Sequence, residues 1–159
     1  VFMDAIHTNN GDVNETAGDG LMVLFLNEDK RQNALDAART ALSIQKETSR
    51  IGHEMLSLYR PLNIHMGIHS GRALVGAAKF SSITGSRWTY TARGNIVNVA
   101  SRIGSLATGS SILMSNVTAD RVSRHNSVKP MGTFKLKNVT DEIEIFKLLP
   151  DFRTRSPRS

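Results

Sequence analysis

Apolar and polar positions recur along the chain with two different periods, one typical of helices and one typical of strands. Between Gln32 and Glu54, and again from Ile96 to Leu106, apolar residues recur every three or four positions, which predicts two amphipathic helices. From Leu62 to Ile68 apolar and polar residues alternate strictly, which predicts a half-buried strand. The apolar positions predicted to be buried on the first helix are Leu35, Ala38, Leu42 and Ile44.

Shorter runs complete the predicted order of elements. Asp12–Thr16 and Leu21–Leu26 flank Gly18-Asp19-Gly20, and this arrangement predicts a β-hairpin. The polar stretch Lys79–Ser86 is predicted to be a loop, and Asn95 is predicted to cap the second long helix. The remaining predictions are the end of a helix at Val1–His7, strands at Arg72–Ala77, Arg87–Thr91 and Ser111–Met114, a helix at Val117–Arg124, and a final strand pair at Met131–Leu136 and Glu142–Leu149.

This order of elements predicts an α+β fold in which the helices pack against one sheet. It resembles a ferredoxin-like βαββαβ core with additional C-terminal strands. The chain then begins inside the first helix of that core, so we expect the first strand to be missing and the domain to be truncated at its N-terminal side. We expect one domain over residues 1–150 and a basic, disordered tail over residues 151–159.

Composition narrows the class of protein and of partner. The 159 residues include 20 Lys and Arg against 14 Asp and Glu, a net charge of +6 that suits an anionic partner such as a nucleotide, a nucleic acid or a membrane surface. A chain without cysteine has no disulfide, thiolate metal site or Cys nucleophile. Neither a secretory signal nor a membrane-length apolar run is found, so we expect a cytoplasmic protein or the cytoplasmic part of a membrane-attached one.

Several familiar motifs are absent from the sequence. It contains no G-x-x-x-x-G-K-[ST] phosphate loop, no G-x-G-x-x-G after a strand and no G-x-S-x-G nucleophile elbow. A nucleic-acid-binding module is the alternative suggested by charge and fold order, but it needs a basic-aromatic RNA-binding strand that the chain lacks, so no nucleic acid is expected. His65 and His69 would lie about 13 Å apart on the predicted strand. We interpret them as polar-face or hydrogen-bonded histidines rather than as a metal pair.

Two segments carry candidate chemistry. In the predicted hairpin, Asp19 lies between two glycines, which would let a metal ion or phosphate approach the backbone. A turn aspartate that only bonds backbone N–H groups is the alternative. In the second long helix, Asn98 and Arg102 are four residues apart and therefore share one face. An amide beside a guanidinium suits a sugar and a phosphoryl group, whereas the alternative is a solvated helix face.

With these segments in place, the chain resembles the catalytic domain of class III nucleotidyl cyclases, the adenylate and guanylate cyclases. The resemblance extends from about Asp12 to Leu149, nearly the whole chain. It has four parts that occur in the family's order: the Gly-Asp hairpin, Met66-Gly67-Ile68-His69-Ser70-Gly71 followed by Leu74-Val75-Gly76, Tyr90-Thr91-Ala92-Arg93-Gly94-Asn95 leading into Val97-Asn98-Val99-Ala100-Ser101-Arg102, and Leu136-Lys137-Asn138-Val139.

The resemblance implies a reaction and a role for each matching residue. The ribose 3′-hydroxyl of a purine nucleoside triphosphate would attack the α-phosphate, giving the 3′,5′-cyclic nucleotide and pyrophosphate with two Mg²⁺ or Mn²⁺ ions. Asp19 matches a metal-binding aspartate and Asn98 the residue that orients the ribose. Arg102 matches the arginine that stabilises charge on the α-phosphate, and Lys137 a lysine that binds the triphosphate.

Two further positions in the family choose the purine, and here they match Glu15 and Thr91. A carboxylate accepts hydrogen bonds from guanine N1–H and N2–H₂, so Glu15 favours GTP, as in guanylate cyclases. Thr91 corresponds to the partner residue of many bacterial adenylate cyclases, and its hydroxyl both donates and accepts. The pair is mixed, and we favour ATP slightly, with GTP as the alternative.

The resemblance also implies how the site is assembled. Two catalytic domains of this family join head to tail, so Asp19 of one copy would work with Asn98 and Arg102 of the other in a homodimer. We expect a sensor or regulatory domain upstream in the parent protein, with intracellular signalling as the role. The family's first metal aspartate lies on the strand expected to be missing, so the chain alone is expected to be inactive. The alternative is an inactive cyclase homology domain that serves as a dimerising regulatory module.

Overall fold

The computed structural model describes residues 2–14, 20–55, 62–83 and 85–150, with the backbone alone for 78–82 and 86–91. The predicted α+β class is confirmed. The elements in chain order are α1 (Phe2–Thr8), β1 (Gly11–Asn14), β2 (Met22–Phe25), α2 (Lys30–Met55), β3 (Met66–Ile68), β4 (Leu74–Ser82), β5 (Gly85–Arg93), α3 (Asn95–Leu106), β6 (Ile112–Ser115), α4 (Asn116–Val122), β7 (Val128–Lys135) and β8 (Glu142–Leu148). None of the helices within the described ranges is long and apolar enough to span a bilayer.

The described strands form a four-stranded sheet and two separate antiparallel pairs. The four-stranded sheet has the order β3-β6-β8-β7, in which β3 runs parallel to β6 and the other neighbours are antiparallel. The pairs are β1 with β2 and β4 with β5. The helices α2, α3 and α4 pack on the four-stranded sheet, whereas α1 packs on β1 and α2, and the hairpins β1–β2 and β4–β5 contact helices and each other.

Successive residues of β6 point to opposite faces of the four-stranded sheet and so belong to two cores. Ile112 and Met114 pack with residues of α2 and α4 in one cluster, which we call the outer core. Leu113 packs with Val99 and Ile103 of α3 in a second cluster, the inner core. The sheet thus separates a layer of two helices from the single helix α3.

Two predicted boundaries are wrong, because neither polarity nor alternation specifies which backbone groups find a partner strand. The stretch 79–86, predicted as a loop, continues β4 and β5 as paired strands up to Ser82 and Gly85. The strand predicted over 62–68 is only Met66–Ile68. Before it, the backbone N–H of Ile64 donates to the side chain of Ser110 instead of to a neighbouring strand.

A contact between two glycines sets the distance between β3 and α3. A Cβ built on Gly67 would lie 2.7 Å from Cα of Gly104, and closer still to the Gly104 nitrogen and the Ala100 carbonyl oxygen. The two backbones are therefore in direct contact, with no room for a side chain on the β3 side. This contact seats α3 on the sheet edge.

A buried polar network joins the end of β3 to the start of α4. His69 Nδ1 lies 2.8 Å from the hydroxyl of Ser115, which lies 3.3 Å from that of Thr118. The Thr118 hydroxyl in turn donates to Ser70 at 2.9 Å. Ser115 and Thr118 are fully buried, so this network satisfies hydroxyl groups that would otherwise be costly to bury.

A buried carboxylate fixes the turn that leads into the first hairpin. Asp36 of α2 accepts a hydrogen bond from Asn10 at 3.2 Å and one from Gln32 at 2.8 Å. Asn10 lies in the left-handed region with φ of 60°, a conformation that asparagine tolerates better than most residues. The side chain of Asn10 therefore links the α1–β1 turn, and with it the start of β1, to helix α2.

We expect Gly67→Ala to destabilise the fold by about 1–3 kcal/mol, because the new methyl group overlaps backbone atoms that cannot rotate away. Gly52→Ala in α2 is the matched control: a Cβ there meets nothing within 4 Å, so this change should stabilise by about 0.5–1 kcal/mol. Urea unfolding measures both. Equal effects of the two substitutions would contradict the glycine contact.

Burial, with a smaller contribution from Arg121, lowers the pKa of His69 below its ordinary value of 6.5. In the unfolded chain this histidine gains its proton near pH 6.5, while the native state resists protonation. Stability is therefore full above that pH and falls as the pH drops towards the lower native pKa. Urea unfolding between pH 8 and pH 5 should show a steeper acid loss for the wild type than for His69→Asn. Parallel pH profiles would refute the assignment.

Candidate functional site

The helix α3 presents two of the predicted site residues on one side and buries the other side. Val99 and Ile103 are 2% and 0% exposed and anchor α3 in the inner core. Asn98 is exposed and Arg102 is half-buried. Because residues four apart in a helix lie one turn above each other, the amide and the guanidinium share a face, as predicted.

The start of α3 corrects one prediction. Gly94, with φ of 122°, occupies the N-cap position, and Asn95 is the first residue of the helix instead of its cap. Only glycine adopts such a conformation without strain, so the chain can turn sharply from β5 into α3. β5 therefore leads directly into α3, with Gly94 between them.

Neither of these two predicted site residues is engaged by the part of the chain that the structure describes. Within those ranges the ion pairs involve Arg39 and Arg50, and Arg102 has no carboxylate or hydrogen-bond partner. The amide of Asn98 likewise has no partner there. A half-buried cation without a counter-charge is well suited to receive an anion.

Lys137 lies in a turn that belongs to the same core as α3. The turn is closed by the Val139 N–H, which donates to the Leu136 carbonyl at 3.1 Å, and Asn138 has φ of 62°. Leu136 and Val139 are buried in the inner core, while Lys137 itself is exposed. The inner core therefore supports both the α3 face and the turn that carries this lysine.

The other predicted residues are only partly covered by the structure. The backbone of Thr91 pairs with Gly76 three residues before Gly94, and its side chain is outside the description. Glu15 and Asp19 lie outside the described residues altogether. The strands on either side of them are paired, with Asn14 opposite Met22, which confirms the hairpin strands but not the chemistry of their connection.

The described residues do not supply a metal site by themselves. Among them, no group of three or more His, Asp or Glu side chains is close enough to hold an ion. Asp19, the predicted metal ligand, remains a prediction. The interpretation of the histidines is confirmed for His69, which is hydrogen-bonded, and His65 is exposed beside β3.

Three features that support the site were not found from the sequence: the Gly67–Gly104 contact, Ser115 and Thr118. The two glycines are 37 positions apart, so no local pattern connects them. Ser115 and Thr118 have the spacing of a helix-capping pair, a signal that could have been used, although Ser115 makes no side-chain capping bond to the helix backbone.

Comparison with known proteins gives matches to cyclase domains. The family model described as the adenylate and guanylate cyclase catalytic domain matches residues 2–149. Adenylate cyclase 1 of Rhizobium meliloti is 25% identical over 153 residues, which are 94% of this chain but 22% of that protein. The chain thus spans about a fifth of the length of that relative.

Two solved structures are similar in fold. The adenylyl cyclase CyaB from P. aeruginosa has a TM-score of 0.82 at 23% identity, with 96% of this chain and 78% of that chain covered. The guanylyl cyclase Cya2 has a TM-score of 0.79 at 28% identity, with 92% and 74% covered. Since the family model spans nearly the whole chain, this protein belongs to the adenylate and guanylate cyclase catalytic domain family.

Proposed function

We propose that the chain is the catalytic domain of a nucleotidyl cyclase that converts a purine nucleoside triphosphate into its 3′,5′-cyclic nucleotide and pyrophosphate, for intracellular signalling. The observation that carries the proposal is the face of α3, on which Asn98 and Arg102 lie one turn apart with no partner in the described residues. Membership of the family supplies the reaction that such a face would serve.

Arg102 is proposed to stabilise the charge that develops on the α-phosphate as the ribose 3′-oxygen attacks and pyrophosphate leaves. A guanidinium on a helix that is anchored by buried residues needs little rearrangement, which is what makes preorganised charge effective. Asn98, one turn earlier, would hold the ribose so that its 3′-hydroxyl faces the phosphorus. Lys137 would bind the departing phosphates.

Divalent Mg²⁺ or Mn²⁺ is part of the proposal, with Asp19 as a ligand, and it would lower the pKa of the attacking hydroxyl. The described residues do not contain a complete set of metal ligands, so the roles of Arg102, Asn98 and Lys137 are proposed without reference to the position of a metal ion. Glu15 and Thr91 are proposed to contact the purine. ATP is the proposed substrate, supported by the similarity to Adenylate cyclase 1 of Rhizobium meliloti.

A head-to-tail homodimer is proposed as the active assembly. Two apolar side chains of the β4–β5 hairpin would be available to a partner: Leu74 is 81% exposed and Ile83, at the tip, is fully exposed. In the proposed dimer Asp19 of one copy faces Asn98 and Arg102 of the other.

The direct test is turnover. We expect the domain, extended upstream to include the family's first-strand aspartate and incubated with Mn²⁺ and ATP, to release cyclic AMP and pyrophosphate in equal amounts, and GTP to react more slowly. The variants described below are made in the same extended protein. Chromatography of the nucleotides with a coupled pyrophosphate assay measures both products. A faster reaction with GTP would reverse the choice of purine. No cyclic product from either nucleotide, in a folded dimer, would replace the proposal with a regulatory module that lacks turnover.

The dimer and the residue roles can be tested together by mixing two inactive variants. Arg102→Ala should lower kcat by roughly 10²–10³-fold with little change in nucleotide affinity, and Asp19→Ala should abolish metal-dependent turnover. Mixed in equal amounts, half of the dimers are hybrids with one intact site of two, so about a quarter of wild-type activity should return. Arg31→Ala, at an exposed position on α2, is the control and should be fully active. Mixtures that stay inactive would exclude the shared site.

A further inference from the structure

We propose that His69 is a positioning residue for the cyclase reaction: by bonding Ser115 it holds the turn after β3 against the first turn of α3, and so sets the orientation of Asn98 and Arg102. This inference rests on the proposed function for its catalytic consequence. Its structural part, that His69 fixes the start of α3, stands independently and is tested separately below.

His69 is held at the junction of β6 and α4. Ser115 ends β6 and Thr118 lies in the first turn of α4, and both are completely buried. The Ser115 hydroxyl makes no capping bond to the helix; it meets His69 Nδ1 at 2.8 Å and the Thr118 hydroxyl at 3.3 Å. His69 is therefore bound to the rigid junction between the sheet and α4.

The turn after β3 approaches the first turn of α3 at Gly71. A Cβ built on Gly71 would lie 3.3 Å from Cδ1 of Ile96 and 3.9 Å from Nε2 of His69. The space that a side chain at Gly71 would occupy is thus bordered by both Ile96 and the imidazole, so the turn, the histidine and the start of α3 meet at this point. Ser70, between His69 and Gly71, is held by the hydrogen bond from Thr118 at 2.9 Å.

The approach at Ile96 bears on the two predicted site residues of α3. Ile96 belongs to the first turn of α3, two residues before Asn98 and six before Arg102. The middle of α3 is already fixed by Gly67 against Ala100 and Gly104. Val99 and Ile103 hold the same part of the helix in the inner core, and Ile96 adds a contact at its first turn, where Asn98 also lies.

The position of His69 directly after β3 accounts for its bond to Ser115. β3 has three residues and lies at the edge of the four-stranded sheet, so its hydrogen bonds to β6 end at Ile68. His69 follows directly and continues the connection to Ser115 through its side chain instead of its backbone. The imidazole therefore adds a side-chain hydrogen bond between the two segments beyond their last backbone pair, Ile68 with Met114.

The test compares two substitutions of similar size. His69→Asn keeps a polar atom where Nδ1 lies, and His69→Leu replaces it with a methyl group. We expect His69→Leu to lower kcat by about 10–100-fold with less than a threefold change in KM, because a small tilt of the helix misplaces groups that act in the transition state. His69→Asn should recover most of the lost rate. His65→Leu, at the exposed histidine on the other side of β3, is the control and should match the wild type.

A second measurement does not depend on activity. Amide hydrogen exchange should become faster at Asn95–Val99 and at Ser70–Gly71 in His69→Leu, with unchanged exchange in α2. If His69→Leu does not fold, Ser115→Ala, which removes only the partner hydroxyl, replaces it in both measurements.

The outcomes separate the two claims. Unchanged exchange at the start of α3, or a kcat for His69→Asn as low as that of His69→Leu, would overturn the positioning role while leaving the cyclase intact. Faster exchange at α3 in a protein whose wild type makes no cyclic nucleotide would keep the structural role and overturn the proposed function. A loss confined to KM would also overturn the inference, since it would indicate a change in ground-state binding alone.

Discussion

The close approach of β3 and α3 is the constraint on which the arrangement of the site depends. At Gly67 and Gly104 two backbones touch without intervening side chains, so their separation cannot vary as it does across a layer of flexible apolar groups. This contact sets the distance of α3 from the sheet at Ala100 and Gly104. Because the backbone of α3 is held in place, a charged side chain on it can be positioned without a salt-bridge or hydrogen-bond partner of its own.

The inner core extends this constraint to the rest of the proposed site. Val99 and Ile103 of α3 share it with Leu136 and Val139, which flank the turn of Lys137. Two cationic side chains from distant parts of the sequence therefore depend on one set of apolar contacts. The opposite charge that they lack within the described residues is what a triphosphate would bring, so substrate and protein are electrostatically complementary in the proposed function.

Periodicity predicted the elements that are long and amphipathic, because burial on one face is what such a pattern records. The helix α3 was predicted within one residue of its observed start, and Asn98 and Arg102 were placed correctly on a common face. The strands β4 and β5 were predicted in part, but their continuation through Ser82 and Gly85 was not, because the hydrogen bonds of a two-stranded ribbon leave no trace in hydropathy. Contacts between residues far apart in sequence, such as His69 with Ser115, depend on the parallel pairing of β3 with β6, which no local pattern specifies.

The alternation along β6 has an evolutionary consequence. Because the outer core of α2 and α4 and the inner core of α3 have no buried side chain in common, a substitution in one layer has few direct contacts through which to disturb the other. Effects of mutations in separate, non-contacting clusters tend to add independently. The apolar outer-core positions of α2 can therefore diverge in sequence while the layer that carries Asn98 and Arg102 stays as it is. Ser115 and Thr118 are the exception, because their hydroxyl groups bond the turn after β3.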